Sequence, residues 1–247
     1  MKPHLLAQQA LVRMLFDPEL AARVRSDPAA ALPELPSTLR AQLAAIDPRA
    51  LLHDRLRGRR TLRTLFDEYK GSTTLLLSRR RRLAALDQFF ASAEFARATA
   101  RTPLALAFAD FLVATEPSLA GVVAIERALA EARRARLPAA DQRVHRAPGV
   151  VPIATTAGAL AALQAAERYL FEVGLMPAVA LCADAPTLTL DAAADDPTPL
   201  YLVTVPTETG HSLVTIDAPT HALVASLPRR FTLELQPLID DDVAVRR

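Results

Sequence analysis

Residues 83–136 read LAALDQFFASAEFARATARTPLALAFADFLVATEPSLAGVVAIERALAEARRAR. Their apolar side chains recur every three or four residues through Phe89, Phe90, Phe95, Leu104, Phe108, Phe111, Leu112, Leu119, Val122, Ile125 and Leu129, the spacing that turns one face of a helix into a core. Six of the nine Phe residues stand at position 66 or between 89 and 111, so this stretch is the expected centre of the hydrophobic core. Ser92, Thr102-Pro103 and Glu116-Pro117 are start signals for three helices, the last running to about Arg136. Glu126 falls on the apolar stripe of that last helix, beside Val122 and Leu129. A carboxylate there needs a partner, because burying it alone costs several kcal/mol or shifts its pKa. An internal ion pair, a place at the helix edge and a contact to a partner protein all meet that need.

Upstream, Leu5, Leu6, Leu11, Val12, Leu15 and Phe16 predict a first helix over residues 4–16. Asp-Pro then recurs at 17–18, 27–28 and 47–48; Asp accepts from open backbone N–H groups and Pro gives up a donor that had no partner, so each pair opens a short helix. From Pro48 the apolar pattern predicts a helix of about twenty residues closed by Gly71. It carries Arg55, Arg57, Arg59, Arg60 and Arg63, and Arg79 to Arg82 follow in the next helix. These arginines suit either an anionic or protein partner, or a solvated face whose stems cover apolar surface.

The texture changes at residues 137–156, where Pro138, Pro148, Gly149 and Pro152 mark a linker ending in the β-prone run Val150 to Thr155. The expected boundary lies there, with a helical domain over 1–147 and an α/β domain over 148–247. After an amphipathic helix from Ala157 to Val173, closed by Gly174, the period shortens toward two. Strands are expected at Ala178–Ala183, Pro186–Leu190, Leu200–Val205, Ser212–Ile216 and Phe231–Leu235, with a short helix from Asp217 to Leu227. The fold class is therefore α+β: an N-terminal all-helical bundle followed by a small α/β module with a mainly antiparallel sheet.

Charge is uneven beneath a formal net of +2: residues 1–150 hold 24 Lys and Arg against 15 Asp and Glu, residues 151–247 hold 5 against 12. The basic front could meet an acidic partner or nucleic acid, or neutralise the acidic back. A DNA-binding regulator is the alternative function on this ground, although no reading-helix motif accompanies the basic residues. Cys182 is the single cysteine, which excludes an intramolecular disulfide and fits a reducing compartment. With no apolar run near the roughly 20 residues of a membrane span and no cleavable leader, a cytoplasmic location is expected.

Catalytic signatures are incomplete. Gly210-His211-Ser212-Leu213-Val214 has Val where a nucleophile elbow needs its second Gly, and strand-prone residues follow the Ser, so it reads as a hairpin tip. The histidines at 4, 53, 145, 211 and 221 show no ligand spacing on one helix, and none of the seven glycines falls in a phosphate-loop pattern. No metal site, cofactor or catalytic residue is expected. The run Leu200 to Val205 is the remaining feature: at a sheet edge it could accept an extended peptide as an added strand.

Taken in order, RGRRTLRTLFDEYKGSTTLLL, DQFFASAEFARA, PLALAFADFL, LAGVVAIERALAEA, RAPGVVPIA and the β-rich C-terminal module resemble the partner proteins of multinuclear non-heme iron-dependent oxidative enzymes in peptide natural-product pathways. That family includes the partner subunit of methanobactin biosynthesis. The resemblance spans Arg57 to Leu227 and leaves the Asp-Pro-punctuated N-terminus outside it. It implies a noncatalytic subunit that binds the iron oxidase and helps present the precursor peptide, with metal and chemistry held by the other subunit. On this reading Tyr201, Val203 and Val205 are the expected peptide edge, and Arg57, Arg59, Arg60, Arg63 and Glu126 the expected partner contacts.

Overall fold

A computed structural model describes residues 2–51, 54, 56–100, 102–135, 144–182, 184–227 and 244–246. The fold is α+β, with helices through the front of the chain and a small antiparallel sheet near the C-terminus. Helices α1 (Pro3–Phe16), α2 (Pro18–Ser26), α3 (Pro28–Ala31), α4 (Ser37–Ala44) and α5 (Pro48–Leu51) follow in quick succession. The Asp-Pro pairs act as read: Asp17 Oδ1 accepts from Leu20 N at 2.9 Å, Asp27 Oδ1 from Ala30 N at 3.0 Å and Asp47 Oδ1 from Arg49 N at 2.8 Å. The helices close on Met14, Leu20, Val24, Leu32, Leu35 and Leu43.

The long helix expected from Pro48 is instead interrupted. After α5 come α6 (Arg57–Glu68) and α7 (Lys70–Arg80), separated at Tyr69, whose backbone leaves the helical region (φ −126°, ψ 48°). Gly71 thus closes nothing; it sits in the first turn of α7, where a Cβ would run into Leu163 Cδ1 and lie 3.3 Å from Glu126 Oε1. Helix α7 ends at Arg81, a left-handed residue (φ 51°) whose N–H returns to Leu77 O at 2.8 Å.

Helices α8 (Ala84–Asp87), α9 (Ala93–Ala100) and α10 (Leu104–Thr115) follow, with a 3-10 turn at Gln88–Ala91. Ser92 caps α9 by accepting from Phe95 N at 3.1 Å. Here the aromatic cluster forms as the spacing demands. The Phe89 ring lies 5.1 to 5.5 Å from those of Phe90, Phe95, Phe108 and Phe111, mostly in the edge-on or tilted geometry that aligns ring edges with ring faces. Phe16 joins from α1, stacked on Phe90 at 4.9 Å.

Next come a 3-10 turn at Pro117–Leu119, helix α11 (Ala120–Arg134), β1 (Val144–Arg146), β2 (Pro152–Thr156) and α12 (Ala157–Val173). Thr156 caps α12 by accepting from Ala159 N at 3.1 Å. Strands β3 (Pro199–Thr207) and β4 (Gly210–Thr215), helix α13 (Ala218–Ala225) and β5 (Ala244–Arg246) complete the order. One sheet runs β2-β3-β4, antiparallel throughout; β1 pairs with β5 in a separate antiparallel pair. Two expected strands do not form: Pro177–Leu181 is a 3-10 turn that overlaps Ala178–Ala183, and residues 186–190 join no sheet among the described residues. The strand expected at Phe231–Leu235 lies outside the described residues. No described helix is long and apolar enough to cross a membrane.

The chain divides into compact units that do not follow a boundary at 147: Met1–Asp67 with Arg82–Phe111, and Glu68–Arg81 with Leu112–Arg247. The reason is α7, buried at every residue from Gly71 to Leu77, which packs with α11, α12 and the 3-10 turn at Pro177–Leu181. Helix α11 crosses α12 where Gly121 lets the backbones close in; a Cβ there would stand 2.6 Å from Ala159 Cβ. Within the first unit, Phe89→Ala is expected to destabilise the chain by about 3–5 kcal/mol. Phe171→Ala, at a side chain 84% exposed, should fall within about 0.5 kcal/mol of the parent. Urea unfolding of the two variants side by side checks both.

Candidate functional site

The run Leu200–Val205 is not an edge. It forms β3, the middle strand, with β2 on one side and β4 on the other. Its alternating residues also have both faces covered. Val203 is 2% exposed and joins Val150, Val224 and Leu227 in a core to which Val205, Ile216 and Leu223 add. Tyr201, on the same face, lies 5.0 Å from the His221 ring of α13. On the opposite face Leu202 and Ile153 are buried towards α11, and Thr155 Oγ1 donates to Gly121 O at 3.1 Å. Tyr201, Val203 and Val205 are therefore core and ladder residues, with no main-chain groups left for a peptide.

The ladder itself shows which groups are left. Ile216 N donates to Tyr201 O at 3.0 Å, and Thr204 N donates to Val151 O at 3.0 Å. In an antiparallel ladder hydrogen-bonded pairs alternate, so Val203 and Val205 turn towards Val214 and Ser212 of β4, while Leu200 and Leu202 turn towards β2. On β4 the main-chain groups of His211, Leu213 and Thr215 consequently point outward, and none has a hydrogen-bond partner among the described residues. The outer edge of β2 is blunter: its outward residues are Pro152, which has no N–H, Ala154 and Thr156. The open edge is β4. The hairpin tip expected at Gly210–Val214 falls instead at residues 208–209, with Gly210 to Val214 inside β4; that reading still implied a partner for β3 on one side, and the β-prone run at Val150–Thr155 was the signal for the other.

Glu126 finds its partner inside the chain. It is 5% exposed, and its carboxylate receives Gly71 N at 2.7 Å on Oε1, with Ser72 N at 3.0 Å and Ser72 Oγ at 2.5 Å on Oε2. The group closes the first turn of α7 from a neighbouring helix, satisfying amides that no intrahelical carbonyl reaches. A carboxylate so enclosed is not available to a partner protein. Burial pushes its pKa from the ordinary 4.5 up to about 7, against the pull of the Ser72 hydroxyl and amide and the Gly71 amide; the Glu167 carboxylate adds to the rise.

The arginines of α6 separate in the same way. Arg57 donates to Leu15 O at 3.0 Å and lies over the Phe16 ring at 5.9 Å, so it is spent within its own unit. Arg60 pairs with Asp54. Arg59 and Arg63, four residues apart on α6, are exposed. The following basic run is exposed too, but mostly partnered within the chain: Arg79 donates to Ser118 Oγ at 2.5 Å, Arg80 to Glu116 Oε2 at 3.0 Å and Arg81 to Ala180 O at 2.7 Å. Among the described residues no three His, Cys, Asp or Glu side chains come together as a metal site. Ser212 lies within β4, opposite Val205. No protein-family model, curated protein or solved structure matches this chain.

The Glu126 geometry sets a pH dependence. Because the folded value is raised above the unfolded one, the stability it contributes is fully present below pH 4.5 and is lost as pH rises through about 7. The displacement is worth about 3 kcal/mol. Urea unfolding of the parent at successive pH values should show this decline, and Glu126→Gln, which cannot ionise, should flatten it. An equally steep decline in the Gln variant would place the titrating group elsewhere.

Proposed function

We propose that this chain is a noncatalytic partner subunit that binds a multinuclear non-heme iron-dependent peptide-modifying oxidase and presents the leader of a ribosomally made precursor peptide. The family reading rests on the order of segments from the Arg-rich helix to the β-rich module. The observation that carries peptide presentation is the outer edge of β4, where His211, Leu213 and Thr215 turn unpaired main-chain groups outward. An extended leader adding there gains main-chain hydrogen bonds largely independent of its sequence, and its alternate side chains then meet the two faces of the sheet. Arg59 and Arg63 supply exposed guanidinium groups for docking on carboxylates of the oxidase.

Leu213→Pro removes an outward N–H and leaves the β3 ladder bonds of Val214 and Ser212 in place. With the purified full chain, a multinuclear non-heme iron oxidase of that family and its precursor peptide, this variant should bind the leader about tenfold more weakly while still co-purifying with the oxidase. The pair Arg59→Glu and Arg63→Glu should show the reverse pattern. A parent chain that stays monomeric beside both components, and whose omission leaves the modification unchanged, overturns the reading.

A further inference from the structure

A cavity of about 260 Å³ lies wholly within the second unit, where α7, α11 and α12 meet the 3-10 turn at Ala192–Asp195. Its apolar lining includes Leu75, Leu119, Val122 and Ala162, none of them more than 7% exposed. Packed interiors leave few voids larger than one water. A void of this size against core residues departs from the packing around it, and water beside those side chains finds few polar partners. An apolar group that displaces such water gains affinity. Benzene already fits an apolar cavity of about 150 Å³, so this one has room for a molecule of about leucine's size.

The two charged groups of the lining are Arg79 on α7 and Asp195 on the 3-10 turn. The ion contact of Arg79 is with Glu116, at 3.7 Å, and not with Asp195. Glu116 is itself held more closely, by Arg80 at 3.0 Å and Ser118 at 2.7 Å. Arg79 gives one N–H to Ser118 Oγ at 2.5 Å. The rest of its guanidinium, on a side chain 40% exposed, meets solvent in the free protein, and a carboxylate at the mouth of the cavity can take it in the fork geometry.

On the other wall the backbone sets Asp195 in place. Gly158 N donates to Asp196 O and Ala157 N to Thr198 O, both at 2.9 Å, and a Cβ at Gly158 would stand 2.5 Å from Ala194 O. The turn is thus seated on the start of α12, and its exposed carboxylate suits an ammonium group. One cation, one anion and an apolar floor complement a zwitterion with an apolar side chain. A plain carboxylic acid gains nothing from Asp195, and a plain amine nothing from Arg79.

We propose that this cavity binds a free apolar α-amino acid of about leucine's size, with its side chain on the Leu75, Leu119, Val122 and Ala162 floor, its carboxylate on Arg79 and its ammonium on Asp195. The site is separate from the outer edge of β4 and does not depend on the partner-subunit reading.

The probes are L-leucine, glycine, isocaproate, which is leucine without its ammonium, and isoamylamine, which is leucine without its carboxylate, each titrated into the full chain by calorimetry. Leucine should bind with a Kd below about 1 mM, both truncations at least tenfold more weakly, and glycine more weakly still. Arg79→Gln should weaken leucine at least tenfold and remove its advantage over isoamylamine. Asp195→Asn should weaken leucine severalfold and remove its advantage over isocaproate. Both side chains are exposed, so the melting temperature of each variant should stay close to that of the parent. Ala162→Leu, which fills the floor, should abolish binding, and Leu213→Pro should leave it unchanged. A leucine Kd above about 1 mM, truncations that bind as tightly as leucine, or leucine binding retained in both charge variants overturns the proposal and spares the partner-subunit reading.

Discussion

A helix buried along its whole first half must satisfy the amides of its first turn without water. Helix α7 is in that position: Gly71 to Leu77 are all buried, and the Glu126 carboxylate reaches from α11 to take the Gly71 and Ser72 amides and the Ser72 hydroxyl. Much of the second unit follows from this contact. It seats α7 against α11, beside Leu163 of α12, whose Cδ1 takes the place of a side chain at 71, and α7 parts from α6 at Tyr69. Removing the carboxylate would leave three donors buried and open, a loss of about 1–3 kcal/mol for each unsatisfied group. The raised pKa of Glu126 is the counterpart of that burial: the same enclosure that makes the carboxylate useful to α7 makes its charge expensive.

Around that helix, binding capacity is decided by which main-chain groups the fold leaves over. Strand β3 is saturated on both edges and covered on both faces, so its strongly β-prone sequence serves the core. The less apolar β4 keeps an outward row of donors and acceptors. There the residues with most to offer a peptide are those with the weaker hydrophobic signal, because a strand that must remain solvated until a partner arrives cannot be strongly apolar.

Much of the local structure was legible. The Asp-Pro pairs, the Ser92 cap, the helix from Ala157 to Val173 and the Phe cluster all depend on residues close in sequence or on a periodicity that repeats several times. The continuous helix from Pro48 to Gly71 was misread because the apolar period runs through Tyr69 without a break, while the carboxylate that receives the first amides of α7 stands 55 residues beyond Gly71. Pro186–Leu190 has a strand's composition, but a strand also needs a neighbour to pair with, which composition does not supply. Arg57 and Arg59 look alike in sequence; a carbonyl at Leu15 and a ring at Phe16 decide that one is internal and the other exposed.

The amino-acid sequence by itself determined the fold class, most helix starts, the aromatic core and the need of Glu126 for a partner, because caps, periodicity and the penalty on a lone buried charge act through short-range chemistry. Tertiary structure alone decided that the partner is the first turn of α7, that Leu200–Val205 lies in the middle of its sheet, and that the sheet's open main-chain groups belong to β4. Those outcomes turn on which segments become neighbours, and hydrogen-bond saturation is a property of neighbours rather than of any one stretch of chain.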